Sequence, residues 1–187
     1  MPIQKIAAIV NHLGTAHRIV SLARLGAADI PPRVLEIAQK DLPSLATDAT
    51  VVAAITEQNA KGTTLAAVKE LDQRWQATPG VADFMKPSLE SPAAQRIREW
   101  RKTHKFLAEI IVMDNQGANV AITEKTSDYW QGDEKKFAEP FKGAAFIDQV
   151  KFDESTQTYS VQVSVPVVGA DGKPIGAICF GIDIENL

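Results

Sequence analysis

Tyr159-Ser160-Val161-Gln162-Val163-Ser164-Val165-Pro166-Val167 sets an apolar side chain at every second position. Successive side chains of a strand point to opposite faces, so this period of two predicts a long β-strand with one dry face. Asp153-Glu154-Ser155-Thr156-Gln157 reads as the turn before it. Gly169-Ala170-Asp171-Gly172 reads as the turn after it. Residues 174–184 then give a last strand, and residues 145–152 a strand before the first turn. Further back, residues 106–113 are nearly all apolar, with Glu109 the exception. A short run of that kind suits a central strand covered on both faces. Asp114-Asn115-Gln116-Gly117 is a turn with its glycine in place, and residues 118–123 return as the partner strand of a hairpin. Five strands joined by short turns and one longer insertion predict an antiparallel sheet.

Residues 1 to about 105 read differently, as helices. Ile3, Ile6, Val10, Leu13, His17 and Val20 recur at spacings of three and four, a heptad-like seam. Such a seam must lie on its own domain or on a second copy. Pro31-Pro32 breaks the path before a short helix from about Arg33 to Lys40. Asp48 is a good N-cap for a helix carrying Val51, Val52 and Ile55 on one face. Gly62 ends that helix, and Thr63 is placed to cap the next. The next helix has Leu65, Val68, Leu71 and Trp75 on its apolar side and closes at Thr78-Pro79-Gly80. Residues 80–91 read as loop. Ser91-Pro92 supplies an N-cap and a first-turn proline for a helix to about His104, with Ile97 and Trp100 on one face. Helices followed by strands predict an α+β fold, a helical segment and then a five-stranded antiparallel sheet. The 187 residues suffice for one domain with a core, here 1–45 as a helical arm and 46–187 as the α+β body.

The net charge is −3 and spread along the chain, so nothing favours a nucleic-acid partner, which calls for a clustered basic surface. A single cysteine, Cys179, forbids an internal disulfide, and its neighbours Ile178 and Phe180 predict a buried, inert thiol. No apolar run reaches the roughly 20 residues that cross a bilayer. Any membrane attachment is expected through segments outside this sequence.

Catalytic patterns are missing. His12 and His17 are five apart and share no helix face, and His104 stands alone. There is no His-Glu-x-x-His, no Cys-x-x-Cys, no Gly-x-Ser-x-Gly and no phosphate-cradling glycine loop. The glycines of residues 169–176 join two strands. The chain is therefore read as a non-enzyme, without metal or cofactor.

The informative stretch is Thr126-Ser127-Asp128-Tyr129-Trp130-Gln131-Gly132-Asp133-Glu134. Small-molecule sites combine an aromatic wall with a few placed polar groups, and this insertion supplies both. The plainer alternative is a surface loop whose aromatics plug the core and whose acids start a helix. Arg96, Arg98 and Arg101 surround Trp100. A solvated helix face explains Arg101, whereas Arg98 is placed to turn inward, and an arginine can hold a carboxylate by two parallel hydrogen bonds.

Taken in order, residues 109–117, residues 126–134, Val163-Ser164-Val165-Pro166-Val167 and Asp171-Gly172-Lys173-Pro174-Ile175-Gly176 resemble the Cache domains, extracytoplasmic PAS-like sensors of bacterial receptors. The Ser-Asp-Tyr-Trp-Gln-Gly-Asp-Glu run is similar to the pocket-side segment of one single-Cache subgroup. The resemblance implies a small-molecule ligand, typically a carboxylate or an amino acid, held between the sheet and the segments that cover it. It implies Asp128, Tyr129, Trp130 and Asp133 as pocket residues. Arg98 joins them from charge chemistry alone, and Arg98 or Lys142 would be needed to offset the acids around a bare anion. The resemblance also implies a periplasmic or otherwise extracytoplasmic setting and a signal passed to the N-terminal helix, through which a homodimer is possible. A standalone binding protein with the same pocket, or a structural or partner-binding module, are the alternatives.

Overall fold

Residues 30–153 and 158–187 are described by the computed structural model. The seam over residues 3–20, with His12 and His17, lies outside them. Within them the order is helices first and sheet second, and the α+β class holds. The helices are α1 (Pro32–Lys40), α2 (Leu42–Ala46), α3 (Ala49–Ala60), α4 (Leu65–Ala77), α5 (Lys86–Glu90) and α6 (Pro92–Thr103). The strands are β1 (Leu107–Met113), β2 (Asn119–Ile122), β3 (Phe146–Ile147), β4 (Lys151–Asp153), β5 (Thr158–Val168) and β6 (Pro174–Asp183), with α7 (Lys135–Ala138) between β2 and β3.

The strands form one antiparallel sheet in the order β2-β1-β6-β5-β3, with β4 also on β5. The last strand in sequence is thus the middle of the sheet. Six strands stand where five were expected, because residues 145–152 divide into β3 and β4. From Ile147↔Val163 to Lys151↔Ser160 the chain takes four steps against three on β5. The extra residue is a bulge, and it breaks the ladder.

The sheet is covered on both faces, and alternate residues of β1 and β6 serve opposite cores. On one face Ile110, Val112, Val163, Val165 and Phe180 pack with Val34, Ile37, Leu45, Val51, Ile55, Ile97 and Trp100 of α1, α2, α3 and α6. On the other, Ile111, Met113, Ile122, Ala177 and Cys179 pack with Trp75 of α4, Met85 and Phe137 of α7. Between Val163 and Val167 both faces of β5 are buried, so the single dry face expected of it is corrected to two.

Side-chain caps start three of the helices. Asp48 caps α3, its Oδ1 accepting from the amides of Thr50 (3.0 Å) and Val51 (3.4 Å). Ser91 caps α6, its Oγ accepting from the Ala94 amide at 3.1 Å. The cap of α4 is Thr64 rather than Thr63: the Thr64 Oγ1 accepts from Ala67 N at 3.3 Å. Residues 80–91 are not all loop. A 3-10 turn at Asp83–Met85 runs into α5, and it buries Met85 completely. On α4 the apolar side is Val68 and Trp75. Leu65 is exposed, and a buried acid, Asp72, completes that side.

Candidate functional site

The 126–134 segment is held from two directions. From α4, side chains one turn apart reach it in sequence. The Lys69 ammonium lies 4.4 Å from the centre of the Trp130 ring. Asp72 Oδ1 accepts from the amides of Tyr129 (2.7 Å) and Trp130 (3.1 Å). Trp75 Nε1 donates to the Thr126 carbonyl at 2.8 Å. A helix repeats a face every three to four residues, so 69, 72 and 75 form one stripe given over to this segment.

From the sheet side, the segment continues the ladder beyond β2. Asn119 N donates to Tyr129 O (3.0 Å) and Gln131 N to Gly117 O (2.8 Å). Trp130 Nε1 donates to Gln116 O at 2.8 Å, which fixes the ring. Gly117 has a φ of 84°, a region L side chains avoid, and a Cβ there would lie 2.6 Å from Gly132 Cα. Two backbones cross in contact at this pair. The Asp128 carbonyl accepts from Thr126 Oγ1 (2.6 Å), Gln131 Nε2 (2.7 Å) and Asn119 Nδ2 (3.1 Å). The segment is therefore a fixed wall.

Between this wall and α4 lies a cleft of about 370 Å³, lined by Lys69, Asp72, Gln73, Gln76, Asp128, Trp130, Asp133 and Glu134. Three of the residues expected in a pocket, Asp128, Trp130 and Asp133, line it. Tyr129 faces away, its ring 5.5 Å from that of Trp75 in the second core. Burial first, and the nearby Asp114 carboxylate second, push its phenol up to about 12, while a hydrogen bond with Gln58 acts the other way. Arg98 stands apart from the cleft. Its guanidinium donates to the carbonyls of Leu89 and, at 3.5 Å, Ile122, and so ties α6 to the end of α5 and to β2. Lys142 pairs with Glu139 at 2.9 Å. Arg96 and Arg101 bind Asp48 and Glu124, each at 2.7 Å.

The cleft carries four carboxylates and one ammonium. Three of the acids have partners within the protein. Asp72 accepts from the two wall amides and, through Oδ2, from Gln76 Nε2 at 2.7 Å. Glu134 pairs with Lys136 at 3.1 Å. Asp128 accepts from the Ser127 hydroxyl. Asp133 is exposed, and its carboxylate pairs with none of the described residues. An open acid beside an indole face is chemistry for an amine.

The α4 contribution, Lys69, Asp72, Gln73 and Gln76, was absent from the sequence expectation. Its one sequence signal is Asp72 itself, an acid four residues after Val68 and three before Trp75 on an apolar stripe. Behind the site, Cys179 is fully buried; burial first and Glu109 second push its thiol up to about 12. Among the described residues no group of three His, Cys, Asp or Glu side chains is placed to hold a metal ion, and no helix is long and apolar enough to cross a membrane.

No family model matches the chain, and no curated protein matches it. Solved structures do. The sensor domain of the histidine kinase DctB of V. cholerae aligns with 11% identity and a TM-score of 0.44 over 82% of this chain and 51% of that one. The E. coli DcuS sensor domain aligns with 17% identity and a TM-score of 0.42 over 74% of this chain and 94% of that one. The ligand-binding domain of the C. jejuni chemoreceptor Tlp3, in complex with 4-methylisoleucine, aligns with 14% identity and a TM-score of 0.40 over 80% and 60%. The chain spans about half the length of the DctB sensor domain.

Proposed function

We propose that this chain is a ligand-sensing domain of the Cache type, acting outside the cytoplasm, and that its ligand is a small polar metabolite bearing an amino group. The observation that carries this is the cleft between α4 and the 126–134 segment, with Trp130 as its aromatic wall and Asp133 open to a ligand. The order of the sequence motifs supports the family reading. The charge of the lining supports an amine or an amino acid over a bare carboxylate, since four carboxylates outnumber the single Lys69 ammonium there and repel an anion. Arg98 is spent on backbone carbonyls and offers such an anion no compensation.

Ligand in this cleft would favour one arrangement of α4 and the segment over the sheet, and the sheet would pass that preference to the helices on its other face and on to the N-terminal region. A second copy pairing through the seam of residues 3–20 belongs to this reading, as does attachment to a membrane through other segments.

A thermal-shift panel tests it: putrescine, glycine, L-lysine and succinate on the full chain. A ligand that binds only the folded state, present at about 100 times its dissociation constant, adds about 2.7 kcal/mol, roughly 5–10 °C for a domain of this size. An amine or amino acid should raise the melting temperature, and succinate should not. A flat response to all four, together with Trp130→Ala acting only by loss of stability, sinks the sensing proposal in favour of a structural module. That second reading has its own support in the pinning of Trp130 to the Gln116 carbonyl.

A further inference from the structure

We propose that Asp72 is the residue that positions the ligand wall: its carboxylate, projecting from α4, holds the backbone of Tyr129 and Trp130 where the cleft requires it. This rests on the cleft being the ligand site.

Three observations carry it. First, Asp72 is a buried acid on the apolar side of α4, between Val68 and Trp75, where an aliphatic residue would be expected. Burying a carboxylate is costly unless its oxygens are satisfied, so its presence asks for partners. Second, the partners are consecutive backbone amides. Tyr129 N and Trp130 N both donate to Oδ1, at 2.7 and 3.1 Å, and Gln76 Nε2 donates to Oδ2 at 2.7 Å. One oxygen that binds two successive N–H groups fixes the direction of the peptide between them, and with it the two side chains. Tyr129 is thereby sent into the core and Trp130 into the cleft. Third, Asp72 itself lines the cleft with its lone pairs directed to the protein. Of the four acids there it is the one committed to geometry, which leaves Asp133 for a ligand.

The same contact makes α4 and the wall one unit. Lys69 and Trp75 add contacts one turn either side, so a ligand that shifts the wall must carry α4 with it or break the Asp72 bonds.

The test is amide hydrogen exchange on the full chain, wild type against Asp72→Asn and Asp72→Leu. Asparagine keeps an acceptor for both amides, whereas leucine keeps the volume and removes it. Asp72→Leu should speed exchange at the Tyr129 and Trp130 amides on the order of 10- to 100-fold, the range for hydrogen bonds to charged groups, with β1, β5 and β6 unchanged. Asp72→Asn should stay near wild type. If Asp72→Leu exchanges like wild type at those two amides, or if exchange rises equally throughout the sheet, Asp72 is a packing residue and the proposal is overturned. Putrescine and glycine, titrated into the same three proteins by calorimetry, form a separate arm. A probe that binds wild type should be lost in Asp72→Leu and kept in Asp72→Asn. If neither probe binds while the exchange pattern is as expected, the ligand reading fails and the positioning role stands.

Discussion

At the scale of single residues, the wall depends on contacts too tight for a methyl group. A Cβ on Gly132 would lie 2.5 Å from the Gln116 carbonyl oxygen, the atom that accepts from Trp130 Nε1. Gly132→Ala should therefore displace the indole and cost about 1–3 kcal/mol, read as a lower urea midpoint. Lys69 acts in the opposite sense. Its ammonium already occupies the Trp130 face, so Lys69→Ala should tighten binding of putrescine roughly two- to five-fold by calorimetry, the worth of an exposed cation–π contact; weaker binding would place Lys69 among the ligand's own contacts. Half of the site was legible from residues 126–134, because aromatics and acids crowded into an insertion signal a surface with a task. The α4 half was not, since Lys69, Gln73 and Gln76 read alone as a solvated helix face. Only the burial of Asp72 between Val68 and Trp75 distinguishes that helix from an ordinary one. Tyr129 and Trp130, neighbours in sequence and equal as candidates, part because one peptide direction sends their rings to opposite destinations.

At the scale of elements, capping chemistry located the helices well and periodicity located the long strands. Asp48 shows why caps are legible: one side chain serves two functions at the start of α3. Oδ1 accepts the first free amides, and Oδ2 receives Arg96 Nε at 2.7 Å. Burial acts to raise its carboxyl, but Arg96 and the two amides outweigh it and hold the group below the usual range. A carboxyl depressed in the folded state contributes stability above its ordinary value of 3.8, and that stability is lost as the pH falls below it. Asp48→Ala should cost about 1–2 kcal/mol at neutral pH, with part of the acid-induced loss removed from its pH profile. Short strands were less legible. β3 and β4 hold two and three residues, too few to show a period, and the bulge between them leaves no mark in composition. The Asp83–Met85 turn and α5 escaped notice for a related reason, since Pro87, a residue type that usually punctuates loops, here lies in the first turn of a short helix.

At the scale of the whole molecule, one buried and one half-buried weak acid lower stability at alkaline pH. The Cys179 thiol and the Tyr129 phenol are held near 12, against ordinary values of 9.0 and 10.0. Both are neutral in the fold. Raised values in the folded state mean that their contribution is complete below about pH 9 and lost as the pH climbs towards 12. Urea midpoints should fall across that interval, and Cys179→Ala, compared with its own midpoint at pH 7, should flatten the fall. Solution mass, with and without an amine ligand, addresses pairing through the N-terminal region: a strict monomer at high concentration removes the dimer. The two-sided sheet has a further consequence. Along β1, Ile110 and Val112 belong to one compartment and Ile111 and Met113 to another. Adjacent letters of the sequence thus live in separate rooms with a shared partition one backbone thick. A spectroscopic reporter moved by a single position along that strand changes which room it listens to, so a matched pair at 111 and 112 would reveal whether news from the cleft crosses the partition or stops at it.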